Sequence, residues 1–360
     1  MNTSKKESPL SRFLARKNIE FSAKRYGIDA LGAMAQGLFA SLLIGTIVGT
    51  LGSQLNIEIL NTIGNFAKNT HVVGAAMAVA IGYALQAPPL VLFSLVSVGA
   101  ATNELGGAGG PLAVLFTSII AAECGKAVSK ETKVDILVTP LITLLSGILL
   151  AVTCAPVIGS AASSVGNAIK WAMLQQPFIM GILVSVLVGI ALTLPISSAA
   201  ICHAIRLNGL AGGAAVAGCC AQMVGFAVMS FRENKWSGLV SQGLGTSMLQ
   251  MGNIVKNPRI WIPPTLASAI TGPIAACVFH FEMNGAEISS GMGTCGLVGP
   301  IGVYTGWLND IAAGTKAAIT GMDWLAMILI CFVLPAVLSV VFCEILRKIG
   351  WIKEGDLKLS

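Results

Sequence analysis

Residues 71–111 read HVVGAAMAVAIGYALQAPPLVLFSLVSVGAATNELGGAGGP, and Glu104 is the only acid or fixed base among them. One apolar run closes at Pro88-Pro89, a second continues to Ala101, and Asn103 and Glu104 lead into the glycine turn Gly106–Pro111. Roughly 20 apolar residues is the length that crosses a hydrocarbon core as a helix. A break at that depth survives only inside protein or beside water. The stretch therefore reads as a membrane helix over 71–88 and a half-spanning or broken one over 90–103.

The rest of the chain repeats this character. Of its 360 residues 55% are hydrophobic and 11% charged, against about 25% charged in a soluble domain. Further spanning helices are expected over 30–52, 111–128, 136–158, 177–200, 211–231, 260–281 and 322–346, with 296–314 a second short or broken one. Stretches 55–68, 157–175 and 240–256 read as amphipathic. The fold expected is an all-α polytopic membrane protein with eight to ten crossings. Continuous apolar runs exclude an outer-membrane barrel, whose strands alternate polar and apolar positions. The net charge of +6 gathers at the ends and in short loops, which is no signature of a nucleic-acid binder. The nine cysteines lie scattered with no C-x-x-C pair and read as small hydrophobes.

The ends set the expected orientation. Lys5, Lys6, Arg12, Arg16, Lys17, Lys24 and Arg25 face only Glu7 and Glu20 in the first 25 residues. Residues 1–28 read as a retained amphipathic segment with Phe13, Leu14, Ile19 and Phe21 on the membrane surface, cytoplasmic by the positive-inside rule. The transmembrane domain is expected over 29–346. The tail 347–360, with Arg347, Lys348, Lys353 and Lys358, reads as cytoplasmic too.

A G-N-x-x-K tetrad occurs at Gly64–Lys68, Gly166–Lys170 and Gly252–Lys256. Gly74 and Gly82 after the first match Gly181 and Gly189 after the second, and G-x-A-L-x-x-P then ends at Pro88 and Pro195. A glycine turn follows each tetrad, and from tetrad glycine to last turn glycine (Gly110, Gly213, Gly299) is 46, 47 and 47 residues. The expected organisation is three repeats, approximately 30–130, 133–231 and 236–346. Many secondary transporters bind substrate where repeats meet and helices break, and a glycine turn opening a helix presents free N–H groups to an anionic or hydroxyl-rich solute. Gly109, Gly110, Gly212, Gly213 and Gly299 are therefore candidate binding positions, with close packing as the alternative.

An ionisable group at membrane depth is a functional candidate because insertion costs roughly 2.5–3.5 kcal/mol. Glu123, Gln222 and Asp310 follow their glycine turns by about three helical turns and are expected either to share a polar cluster or, for the two acids, to sit at wet helix ends near Lys126 and Lys316. Asn103 and His203 are further candidates to orient a solute. No G-x-S-x-G, H-E-x-x-H or P-loop motif is present, so no catalytic residue, metal or cofactor is expected.

The sequence K-R-Y-G-I-D-A-L-G-A-M-A-Q-G-L-F at 24–39, and Asn257-Pro258 followed by Ile260, Ile262 and Pro263, resemble the membrane domain of phosphotransferase-system IIC permeases. The likeness is nearest to the free-standing branch that includes perfringolysin regulator-like proteins. It implies an inner-membrane homodimer that moves a sugar or related solute by a rigid-body elevator motion, served by separate IIA- and IIB-type phosphocarriers. It places substrate in a broken-helix region before the N-P pair, here Thr246 to Asn257, and so at Gln250 and Asn253. Glucose-type permeases keep a glutamate followed by proline there, whereas this chain has Thr246, Ser247 and no acid before Asn257. The expected function is a permease for a small polar solute, with membrane lipid as its surroundings. The alternative is a solute-binding sensor that signals through its N-terminal segment.

Overall fold

The computed structural model describes residues 9–359. Among them the fold is all-α, its one extended pairing being an isolated bridge between Gly209 and Met283. The part of the basic segment at 1–8 lies outside the described residues; the remainder opens with α1 (Pro9–Arg16), then a long helix α2 (Arg25–Leu55) interrupted by π-turns. Next come α3 (Glu58–Ala67), α4 (Thr70–Ala84), α5 (Pro89–Gly106), α6 (Gly110–Val128) and α7 (Asp135–Met173). A second group holds α8 (Pro177–Thr193), short α9 (Ser198–Ala204), α10 (Gly209–Met229), α11 (Phe231–Val240), short α12 (Met251–Lys256) and α13 (Pro258–Val278). It ends with α14 (Val298–Ala312) and α15 (Gly321–Lys348).

Six stretches are long and apolar enough to cross a membrane: Arg25–Leu55, Pro89–Val128, Asp135–Met173, Gly209–Met229, Pro258–Val278 and Gly321–Lys348. The apolar helices α4 and α8 are shorter, at 15 and 17 residues. Pro89–Val128 is not one straight rod. Thr102 Oγ1 lies 3.1 Å from Thr117 Oγ1, whereas 15 residues of straight helix would part them by about 22 Å. The chain reverses at Gly107, whose φ of +50° suits a residue without a Cβ. The stretch 90–103 is thus one arm of a helical hairpin, α5 against α6.

The helix α7 differs from expectation in the opposite sense. A span over 136–158 and an amphipathic piece over 157–175 are joined into one helix of 39 residues, about 58 Å long. Pro140 and Pro156 lie inside it and do not break it.

Two bundles result. The first packs α4 against α2 and α5, and both hairpin arms against α7. In the second, α10 is the centre, touching α8, α13 and α15. Close crossings are glycine-mediated, as expected where small residues replace hydrophobic driving force. A Cβ at Gly74 would strike the Gly99 carbonyl and one at Gly99 the Gly74 carbonyl, so α4 and α5 touch backbone to backbone. The matched Gly181 faces Gly272 and Pro273 of α13 instead. The tetrads all fall at the C-terminal end of a helix (α3, α7, α12), and the glycine turns all precede or open one (α6, α10, α14). Their packing partners differ.

Candidate solute-binding site

A cavity of about 520 Å³ lies where the two bundles meet. From the first bundle it is lined by Lys68, Asn69, Thr70 and His71 at the start of α4, and by Asn103, Glu104, Gly107 and Pro111 at the hairpin tip. Across from these stand Leu192 and Ile196–Ala200 after α8, Gly245, Thr246 and Met248, and then Met292 and Cys295. The volume falls in the range of small-molecule sites, roughly 300–1,000 Å³.

The local sequence explains the placement. Asn69 caps α4 by accepting from the His71 N–H at 3.0 Å, as an N-cap asparagine does. Asn103 Nδ2 donates to the Thr70 carbonyl at 2.8 Å and so ties the hairpin to α4. The Ser197 N–H donates to the Ala108 carbonyl at 2.8 Å, tying the same tip to the second bundle. Across the cavity wall His71 Nε2 sits 3.0 Å from Glu104 Oε2, with side chains 51% and 63% exposed. This pair adds little stability and leaves most of both groups free to meet a solute. The Cys295 thiol is pushed up to about 12 by burial and stays protonated. No group of three or more His, Cys, Asp or Glu that could hold a metal ion occurs among the described residues.

Of the residues singled out from sequence, Asn103 lines this cavity, and the glycine turn reaches it through Gly107. Gly109 and Gly110 lie behind it: a Cβ on Gly109 would meet the Ile158 carbonyl of α7, and one on Gly110 would meet the Asn103 side chain. Gly212 and Gly213 pack on the Met283 and Phe281 backbone, and Gly299 on Gly293. These five are close-approach positions outside the cavity lining.

Glu123, Gln222 and Asp310 do not meet. Glu123 is 2.8 Å from Lys126 in a nearly sealed pair, and Lys126 Nζ also donates to the Leu85 carbonyl at 3.0 Å. Gln222 is fully buried, accepting from Trp261 Nε1 at 3.0 Å and donating to Thr265 at 3.2 Å, which joins α10 to α13. Asp310 accepts from Asn284 at 3.0 Å beside a separate cavity of about 390 Å³. Lys316 pairs with Asp323 and not with Asp310. His203 stands 3.4 Å from Glu287, whose carboxyl is held below the usual range first by a backbone N–H and then by His203.

The segment 241–257 is broken, as the resemblance implies: a π-turn, extended Thr246 (φ −157°), a 3₁₀ turn and then α12. Only its beginning reaches the cavity. Gln250 Nε2 donates to Gln242 Oε1 at 2.8 Å and to the Leu357 carbonyl at 2.9 Å, and Asn253 Nδ2 donates to Gln250 Oε1 at 2.8 Å and to the Lys358 carbonyl at 2.9 Å. Asn257 reaches the Trp351 carbonyl and Asp356 at 3.0 and 2.7 Å. The C-terminal tail thus occupies these amides, with Ile352 and Leu357 buried beneath it. Lys68, Asn69, Thr70, His71, Ser197 and Ser198 are polar lining residues absent from the sequence candidates; the signal for the first four was the N-cap Asn69 directly after the first tetrad.

No curated protein and no solved structure matches the chain. The fold is all-helical and multi-pass, with a cavity between two bundles and a broken segment before an N-P pair. In keeping with that, the family described as "Phosphotransferase system, EIIC" matches residues 28–359, and the chain belongs to that family.

Proposed function

We propose that this chain is the permease component of a phosphotransferase-type system and carries a small hydroxylated solute of the sugar class, held in the cavity between the bundles. The observation that carries the reading is the cavity's lining. It offers His71, Glu104, Asn69, Thr70, Ser197, Ser198 and Thr246 around one space of about 520 Å³, a set of donors and acceptors suited to several hydroxyl groups at once. Its walls come from both bundles, so a rigid-body shift of one against the other would carry the solute with the hairpin tip. In this reading the chain is a homodimer with both ends cytoplasmic, and IIA- and IIB-type carriers bring the phosphoryl group to the released solute.

Solute counterflow tests the proposal. Proteoliposomes preloaded with one unlabelled hexose or hexitol at a time should accumulate the labelled form, and His71→Ala should remove the signal while the protein still reconstitutes. Counterflow of the same compound by His71→Ala at the wild-type rate would contradict the assignment of the cavity.

A further inference from the structure

The helix α4 sets the direction of the central cavity. Thr70 at its start lines the cavity, and the Leu85 carbonyl just past its end accepts from Arg25 Nη2 at 2.7 Å. Its 15 residues part those two points by about 22 Å. The cavity therefore lies at the end of the first bundle away from the turn Arg25–Asp29 that opens α2. The broken segment 245–256 runs from one to the other. Gly245, Thr246 and Met248 line the cavity, and α12 touches Arg25–Asp29. Met248 and Met251 are buried in one cluster with Leu31 and Met34 of α2. A Cβ on Gly252 would lie 3.4 Å from Ile28, and one on Gly245 would strike the Phe39 ring. This segment thus seals the second bundle against α2.

The C-terminal tail grips the far end of that segment. Besides the bonds it accepts from Gln250, Asn253 and Asn257, its Leu357 carbonyl accepts from Asn234 Nδ2 and its Leu359 N–H donates to Asn234 Oδ1, both at 2.8 Å. The Gly355 N–H donates to Glu233 at 3.1 Å. Among the described residues the tail has no helix or strand of its own, and its buried side chains are Ile352 and Leu357. Lys353, Glu354 and Lys358 are exposed, so the tail runs along water and not hydrocarbon. A hydrogen bond released there is exchanged for one to water. Gly350, at φ +81° with nothing within 4 Å of a Cβ, separates the tail from α15 and supplies a hinge. Polar, water-exchangeable contacts on a hinged strand suit a part that detaches, whereas the bundles themselves are held by apolar and glycine-mediated packing.

We infer that the tail 351–359 is a latch. Closed, it holds 245–256 against α2 and keeps the cavity shut toward the end of the molecule that carries Arg25–Asp29 and the tail. Detached, it frees that segment to part from α2, and the solute leaves toward that end. The cavity lining sets affinity, so the latch governs the rate of passage and not binding. The inference rests on the central cavity being the solute site and names the contact that regulates it.

Lys256 and Lys358 are exposed and line one cavity of about 340 Å³ between α12 and the tail. Lys256→Cys combined with Lys358→Cys in the full-length chain therefore admits a short bis-methanethiosulfonate cross-link that reduction removes. Proteoliposomes of this variant are assayed by counterflow of labelled glucose, mannose and glucitol in turn. Cross-linking should lower counterflow tenfold or more and reduction should restore it. Solute affinity by titration should stay within twofold, and each single variant treated alike should keep its rate. Counterflow at the uncross-linked rate, or a loss that reduction does not reverse, overturns the latch and leaves the cavity assignment to stand or fall with His71→Ala. Hydrogen exchange over 245–256 without solute gives a second arm. It should be at least tenfold slower in the cross-linked form than in the reduced one, and equal exchange in the two forms overturns the latch. Absence of wild-type counterflow for all three compounds counts against the cavity assignment, and the exchange comparison then decides the latch alone.

Discussion

The hairpin-tip cavity and the segment 250–257 both place polar groups inside an apolar protein, and they use those groups in opposite ways. At 250–257 the amides of Gln250, Asn253 and Asn257 donate to the tail carbonyls of Leu357, Lys358 and Trp351. In the cavity, Lys68 makes no side-chain bond among the described residues and the His71–Glu104 pair is more than half exposed. Satisfied groups hold a fold together; unsatisfied ones at a cavity wall have capacity left for a ligand. By this distinction we propose the segment 250–257 as a structural clamp and the hairpin tip as the binding surface.

Substitutions should separate the two regions in order of effect. The largest belongs to neither: Gly213→Ala would drive a Cβ into the Phe281 carbonyl. The resulting overpacking, about 3 kcal/mol or more, should leave little folded protein on size-exclusion chromatography. By contrast Gly107→Ala, where nothing lies within 4 Å, meets only the strain of positive φ, about 1–3 kcal/mol.

Next comes the clamp. Gln250→Ala combined with Asn253→Ala strands the tail carbonyls and should destabilise the protein by about 2–4 kcal/mol, with solute affinity within twofold of wild type in a binding titration. His71→Ala should do the reverse, moving stability by at most about 1 kcal/mol and affinity by tenfold or more.

The smallest effect lies at the N-terminal segment. Lys17, hydrogen-bonded to Glu131, holds that carboxyl below the usual carboxylate range, with Arg16 assisting at 2.8 Å. A depressed folded-state value means the contact contributes above the unfolded carboxylate range and is lost as pH falls through the lower folded value. Hydrogen exchange over residues 9–19 should therefore be protected at pH 6 and faster, after correction for intrinsic rates, near pH 3. Glu131→Gln should flatten that dependence.

Much of this was legible in the sequence. Composition and apolar runs are sufficient for the membrane fold, because no other solvent tolerates them, and the motifs at 24–39 and 257–263 carried the family. The continuity of α7 through Pro156 was not legible, since a proline inside an apolar run can end a helix or only bend it, and residue type alone does not say which. Nor was the role of the glycines. Gly107, which turns toward the cavity, and Gly109, which packs on Ile158, are two residues apart and chemically identical. The candidates Gln222, Gln250 and Asn253 were read as polar groups available to a solute, but residue type alone does not say whether the partner is a solute, a tryptophan on α13 or the chain's own tail. Long-range partners decide that, and Gln250 and Leu357 stand 107 residues apart.

The most direct measurement is the affinity of one solute, identified by thermal-shift screening, for His71→Ala and for Asn253→Ala side by side. At least a tenfold loss is expected for His71→Ala and less than a twofold change for Asn253→Ala. A tenfold loss for Asn253→Ala with His71→Ala unaffected would contradict that expectation and return the solute to the segment before Asn257-Pro258.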